Sequence, residues 1–348
     1  MNNTTSNNSR SLNNDYETYW INIVCLINEN ISRYFMIFIW FIGNIGSILN
    51  TIVFSQESLH KSPCSLYFIA SNIMQFFVFN FALLTRILLF GFNIETLYVD
   101  LWYCKLRYYL FYVSISTARY YTILASVDRY FASSRDALRR QWSSRKIAKR
   151  LIIANILFWC VIYIQMIVFY EISLNDCSPQ KGIYRMFFSI YILFDQGILP
   201  LVFMIIFGLL TFKNVQGIKQ RVRPMAAVTR GDHLTQINET TRKDKHLLKI
   251  LLNQIAVYII FNIFNPCFLL YQTLTINISK SSLQLEIEVV LNNVSYFLID
   301  VGFALTFFTN VLSSSLFRHE LIRLIQRRVL HLQRRQTTSV LTSNRTYR

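Results

Sequence analysis

Seven apolar runs punctuate the chain, with polar connections between them: Ile31–Phe54, Leu66–Phe90, Trp102–Phe131, Ile147–Tyr170, Met186–Phe212, Leu247–Leu274 and Ile287–Leu312. Each is long enough to cross the roughly 30 Å of hydrocarbon in a bilayer. A separate segment in lipid can satisfy its own backbone only as a helix, so all seven are read as helices. Residues 16–27 (YETYWINIVCLI) are also apolar but too short to span. They are expected at the membrane interface or folded over the bundle. The pattern predicts an all-α membrane protein, a seven-transmembrane helix bundle occupying residues 31–312 as one domain.

After the seventh run the periodicity changes. In 313–332 (SSSLFRHELIRLIQRRVLHL), Leu316, Phe317, Leu321, Leu324 and Ile325 recur at helical spacing, while Arg318, Arg323, Arg327 and Arg328 take the other side. That is the pattern of a short amphipathic helix lying on the cytosolic leaflet in contact with membrane lipid. Residues 333–348 are polar, basic and rich in Ser and Thr, and are expected to be disordered in the cytoplasm.

Composition agrees with the pattern. The 348 residues are 53% hydrophobic and only 15% charged, where a soluble domain would carry nearer a quarter charged. The formal net charge of +17 raises nucleic acid as a partner, but its location argues against that. With the amino terminus outside, the connections facing the cytosol are 55–65, 132–146, 213–246 and 313–348, and they hold 22 Lys and Arg residues. The opposite segments 1–30, 91–101, 171–185 and 275–286 hold 4. This asymmetry sets the orientation, and the charge becomes a collar for anionic lipid at the inner leaflet. No nucleic-acid partner is expected. The first residues, MNNTTSNNSRSLNN, lack the apolar core of a cleavable signal. Asn-X-Ser/Thr triplets at Asn2, Asn3, Asn7 and Asn30 suit an extracellular glycosylated tail over 1–30.

Of six cysteines, Cys25, Cys104 and Cys177 fall outside by this topology, where disulfides persist. Pairing Cys104 with Cys177 would tether the loop between spans four and five over the mouth of the bundle, leaving Cys25 as the odd thiol. The alternative is an unpaired interfacial thiol at Cys104. The third run joins that cysteine to an Asp128-Arg129-Tyr130 triplet 24 residues on, about 36 Å along a helix. A guanidinium at the inner membrane boundary needs a partner, and Asp128 is the adjacent one.

Ionisable residues within spans are candidate functional groups: here Arg86, Arg107, Arg119, Asp195 and Asp300. Asn292, Asn293, Tyr296 and Asp300 are spaced to share one helical face, read as lining a ligand cavity with Phe111, Tyr112 and Tyr271. Arg86, Arg107 and Asp300 either meet a ligand there or, for Arg86 and Asp300, form a structural ion pair. Arg119 and Asp195, deeper on spans three and five, are expected to pair and stiffen the core. No His-Glu-x-x-His, Gly-x-Ser-x-Gly or paired Asp motif occurs, so no enzyme, cofactor or metal is expected. A seven-span transporter would show internal repeats and Gly/Pro-broken helices; the chain has 9 Gly, 5 Pro and no visible repeat.

Seven spans, Cys104 above and SVDRY below the third, Cys177 in the following exterior loop and the amphipathic segment after span seven together resemble the rhodopsin-like G-protein-coupled receptors, over roughly residues 30–332. Gly43-Asn44, Trp159, Pro200, Pro266 and Phe317-Arg318 resemble further family positions, and the likeness runs loosely toward invertebrate neuropeptide receptors. The resemblance implies a plasma-membrane receptor that passes an extracellular peptide or small-molecule signal to a heterotrimeric G protein. Release of Arg129 from Asp128 would be the switch, with Asn44, Gln75, Trp159, Pro200, Phe264 and Pro266 as core or switch positions. The sequence also departs from the family. Gln75 stands for its span-two Asp, Thr306 to Asn310 for its Asn-Pro-x-x-Tyr, Phe264 for its span-six Trp, Gly208 for a span-five Tyr and His246, beside Asp244, for an acidic partner of Arg129. With no carboxylate at position 75, no sodium site is expected at mid-membrane. A coupling-deficient decoy or scaffold receptor is the alternative these departures raise. Phe111 where amine receptors carry Asp argues against a monoamine, and the absence of Lys in span seven excludes a retinal pigment.

Overall fold

A computed structural model of the protein describes residues 3–94, 100–134, 136–173, 176–225 and 232–327, and the side chains within them except 3–15, 173, 176, 215–225 and 232–245. The expected disordered tail at 333–348, the triplet at Asn2 and the side chain of Asp244 lie outside these. Among the described residues the long helices are α1 (helical from Asn3, with the apolar part Tyr16–Phe54), α2 (Pro63–Gly91), α3 (Leu101–Ala132), α4 (Arg145–Phe169), α5 (helical on to Met225, with the apolar part Ile183–Asn214), α6 (helical from Asp232, with the apolar part His246–Leu274) and α7 (Ser282–Ser313). All but α3 are long and apolar enough to cross a membrane, consistent with a multi-pass membrane protein. Residues 315–327 form a further short helix.

Why α3 is the less apolar helix follows from where it sits. It packs against α2, α4, α5 and α6, and every residue from Phe111 to Arg119 is buried. A helix covered on all sides meets protein rather than lipid, so Ser114, Ser116, Thr117 and Arg119 can be buried there if they find partners. The peripheral helices show the opposite pattern. Along α4, Ile153, Leu157, Val161, Ile164 and Val168 are each about half exposed or more and recur every three or four residues. That apolar stripe faces away from the protein, which water would not favour and lipid would. Local signals start the helices. Asp100 accepts from the backbone N–H of Trp102 at 2.9 Å, Ser281 from Gln284 at 3.2 Å, and Pro63 opens α2.

Residues 16–27 do not fold over the bundle as a separate segment. They continue α1, whose apolar part Tyr16–Phe54 is 39 residues, about 58 Å long. Polar groups fix this extension along α7. Glu17 accepts from the backbone N–H of Leu283 at 3.0 Å, and Asn28 Oδ1 accepts from Asn293 at 2.7 Å. The fold is also not wholly helical. Between α4 and α5 the chain forms an antiparallel hairpin, β1 (Tyr170–Ser173) and β2 (Asp176–Pro179), with Ile172 opposite Cys177.

Aromatic packing holds the two ends. At the Arg129 end, Phe317 is fully buried and reaches Phe54 (ring centroids 5.4 Å), which packs on Phe68 (5.1 Å). The short helix 315–327 is thereby anchored to α1 and α2. Gly43 lets α1 and α2 touch: a Cβ there would lie 2.4 Å from the Phe79 ring, so no larger residue fits without moving it.

Candidate functional site

Polar side chains occupy three levels along α3, and the site is best built from its two ends inward. At one end Cys104 is bonded to Cys177, with Cα atoms 5.9 Å apart, within ordinary disulfide geometry. The bond ties the hairpin to the start of α3, and Tyr108 stacks on Tyr170 at 5.0 Å beneath it. At the other end the buried Arg129 and Asp128 side chains pair, Nη2 to Oδ2 at 2.6 Å and Nε to Oδ2 at 3.2 Å. Ser143 donates to Asp128 Oδ1 at 2.7 Å, and Arg129 Nη2 donates to Ser62 at 3.2 Å. Both serines belong to connections between helices, so the pair is held by loops as well as by its own neighbour. Tyr130 is half-buried, packing on Phe131 and Phe207.

The middle level is built around Arg119. A proline creates one of its acceptors. Pro200 has no N–H, so the carbonyl of Gln196, four residues earlier, loses its helical partner. That carbonyl accepts instead from Arg119 Nη1 at 3.3 Å and from the hydroxyl of Tyr258. On α6 the helix breaks at Ile263, three residues before Pro266 and just after Asn262, whose acceptor is its side chain. Asn262 Oδ1 accepts from Arg119 Nη2 at 2.5 Å. Gly197 lets α5 approach α6 here, with Pro266 Cγ 3.0 Å from where its Cβ would be. Arg119 and Asp195 do not form the direct ion pair expected from sequence. The Gln196 side chain stands between them, accepting from Arg119 Nη1 and donating to Asp195 Oδ2 at 2.6 Å. Asp195 also accepts from Tyr163 at 2.5 Å and Ser116 at 3.1 Å. Beside this network lies a cavity of about 40 Å³ lined by Gln75, Arg119, Thr122, Tyr258, Asn262 and Thr306, among others. Arg119 Nε and Gln75 Oε1 are buried and without a hydrogen-bond partner; the volume suits one or two waters.

Between the middle level and the disulfide lies an aromatic layer. Phe111 packs on Tyr112 (4.8 Å) and on Tyr296 (5.7 Å), and the hydroxyls of Tyr112 and Tyr296 are 2.9 Å apart. Arg86 lies over the Tyr296 ring at 4.0 Å and donates to Asn293 Oδ1 at 3.1 Å. It makes no ion pair with Asp300, which is buried on α7 with Oδ1 unpartnered. Arg107 is buried over Tyr108. Tyr271 lies apart from this layer, 40% exposed, and donates to Glu288 at 3.0 Å. Lys280 pairs with Glu288 at 2.7 Å and closes that corner.

The remaining positions singled out from sequence divide. Trp159 is buried against Tyr120, and Pro200, Pro266 and Gln75 are buried. Phe264 faces outward, 39% exposed, stacked on Phe268; the break at Ile263 turns it away from the core. Asn44 is half-buried and accepts from Asn80 at 2.7 Å. The asparagine that joins α1, α2 and α7 is Asn50, donating to Asn72 at 2.9 Å and accepting from Asn310 at 3.1 Å. Sequence reasoning passed it over, though an Asn inside an apolar run is a signal in itself.

Turns of π-helix, which no residue pattern announces, accompany the buried polar groups. Ile31–Phe35 holds Ser32, Leu193–Ile198 holds Asp195 and Gln196, and Phe79–Leu83 and Ile87–Gly91 flank Arg86. Such turns are frequent at functional sites. Compared with known proteins, the chain matches no family model and no curated sequence.

Proposed function

We propose that this chain is a receptor of the rhodopsin-like, G-protein-coupled kind: a bundle of seven spans with 315–327 as its amphipathic eighth helix, the amino terminus outside and the plasma membrane as its site. One observation carries the reading. A 32-residue helix surrounded by its neighbours bears a disulfide to the following hairpin at one end and a buried Asp128–Arg129 pair at the other. A ligand under the hairpin and a transducer at the arginine are then joined by one rigid element. The Asp128–Arg129 pair suits a switch, because the guanidinium lies at the end of α3 between the neighbouring carboxylate and the Ser62 hydroxyl at the start of α2. Outward movement of α6, which packs on α3, would expose the guanidinium to a heterotrimeric G protein.

The extracellular partner is a peptide or small polar molecule. A decoy receptor that binds without coupling is the second reading, favoured by the absence of tyrosine at positions 208 and 310. Guanine-nucleotide exchange in cells expressing the chain, screened against a peptide library, separates the two. The receptor reading expects exchange that Arg129→Ala abolishes at unchanged surface expression. Exchange that persists in Arg129→Ala overturns the assigned switch, and no exchange with any bound peptide favours the decoy.

A further inference from the structure

Arg86 is 7% exposed, yet its guanidinium has one hydrogen bond, to the Asn293 amide oxygen, and one ring contact, with Tyr296. It has no carboxylate partner within salt-bridge distance, in contrast to Arg129. Removing a guanidinium from water without a counter-charge costs several kcal/mol, so its placement needs a reason. The surroundings show that it is held deliberately. The Asn293 amide donates to Asn28 at 2.7 Å and Ser32 at 3.0 Å, which turns its oxygen toward Arg86. Tyr296 lies flat beneath, fixed by Phe111 and by the Tyr112 hydroxyl. One edge of the fork is pinned and the other N–H groups are uncommitted. Two π turns flank the residue on α2.

We propose that Arg86 is the anchor for a carboxylate on the ligand, with the Phe111–Tyr112–Tyr296 layer receiving an apolar or aromatic group beside it. This deepens the receptor reading and rests on it. A guanidinium with a free edge takes a planar carboxylate through two parallel hydrogen bonds. Asp300, one helical turn below Tyr296 on α7, is the buried carboxylate that Arg86 would otherwise face, and it competes with the ligand for the same charge. The carboxylate comes either from the free carboxyl terminus of a peptide or from a small aromatic acid.

The test uses the full chain in lipid nanodiscs and two fluorescent probes, dansyl-phenylalanine and a dansylated tetrapeptide ending in phenylalanine, each as free acid and as carboxamide. The acid binds about tenfold or more tighter than its amide, the worth of a charged hydrogen-bonded pair. Arg86→Gln erases that difference, Arg86→Lys reduces it, and Asp300→Asn tightens acid binding. Preference for the tetrapeptide acid assigns a peptide source; equal binding of the two acids assigns a small acid. Equal affinity for acid and amide in the unaltered chain overturns the proposal whether or not the variants fold, as does failure of both acids to bind. The outcome is separable from the receptor reading: acid-selective binding without nucleotide exchange keeps the anchor and sinks the receptor, while exchange driven equally by acid and amide does the reverse.

Discussion

Arg129 and Arg119 sit on the same helix, ten residues apart and equally buried, but their charges are satisfied in opposite ways. Arg129 pairs directly with the carboxylate next to it in sequence and donates to Ser62 in a connection. Arg119 leans on amides and a carbonyl from α5 and α6, with its nearest carboxylate one glutamine away. A local pair can be opened without dismantling the bundle. A pair spread over three helices cannot, because releasing the arginine leaves several buried groups unpaired at once. The Arg129 end is therefore suited to change, and the Arg119 level to holding helices in register.

The largest effect should come from attacking the shared level. Arg119→Met leaves Asn262 Oδ1, the Gln196 side chain and Asp195 without their bridge, and should cost about 3–5 kcal/mol. Thermal unfolding of the purified chain in detergent would show a much lower midpoint. A loss no greater than that of Arg129→Met would mean that the two arginines are not held differently after all. Next comes the disulfide: Cys104→Ser should cost about 2–4 kcal/mol, and should free the hairpin without disturbing the middle level. Retained wild-type stability under reducing agent would show that the hairpin's packing on Tyr108 suffices.

Asp128→Asn tests the local end. It removes the charge but keeps the shape, so the guanidinium loses its neighbouring carboxylate. Stability should fall by about 1–3 kcal/mol, while basal nucleotide exchange rises because Arg129 is already half released. Lower exchange than in the unaltered chain would argue against the switch.

What could be read from the sequence follows the same division. The seven runs, the basic asymmetry and the span of α3 are local or periodic properties. Most observed ends from α2 onward lie within a few residues of the expected ones, but α5 runs on to Met225 and α6 begins at Asp232, because polar sequence continues a helix where composition marks only its apolar part. The Cys104–Cys177 bond was one of two readings open from sequence. The Asp128–Arg129 contact was legible because the partners are adjacent. The arrangement of Arg119 was not, since the Gln196 carbonyl is freed by Pro200 and Asn262 is brought within reach by the helix approach at Gly197. Arg86 misses Asp300 for a related reason: Asn28 and Ser32 on α1 orient the Asn293 oxygen toward it, a contact between distant stretches that no local pattern announces. Phe264 turned outward through a break only the fold reveals.

The smallest expected effect is an absence that sharpens the contrast between the two arginines. The cavity beside Gln75 has no carboxylate in its lining and a guanidinium in its wall, so a sodium ion entering it would meet a like charge and only neutral amide and hydroxyl oxygens. Replacing sodium chloride by choline chloride should leave the unfolding midpoint unchanged within about 1 °C, far below the shift that a kcal/mol of linked binding produces. Gln75→Asp makes the test stricter. A new carboxylate there faces the unpartnered Nε of Arg119 and should be claimed by it, raising stability without creating sodium dependence. A sodium-dependent midpoint in Gln75→Asp would mean that Arg119 is too firmly held by Asn262 and Gln196 to take a new partner, and that the shared level is even more rigid than its hydrogen bonds imply.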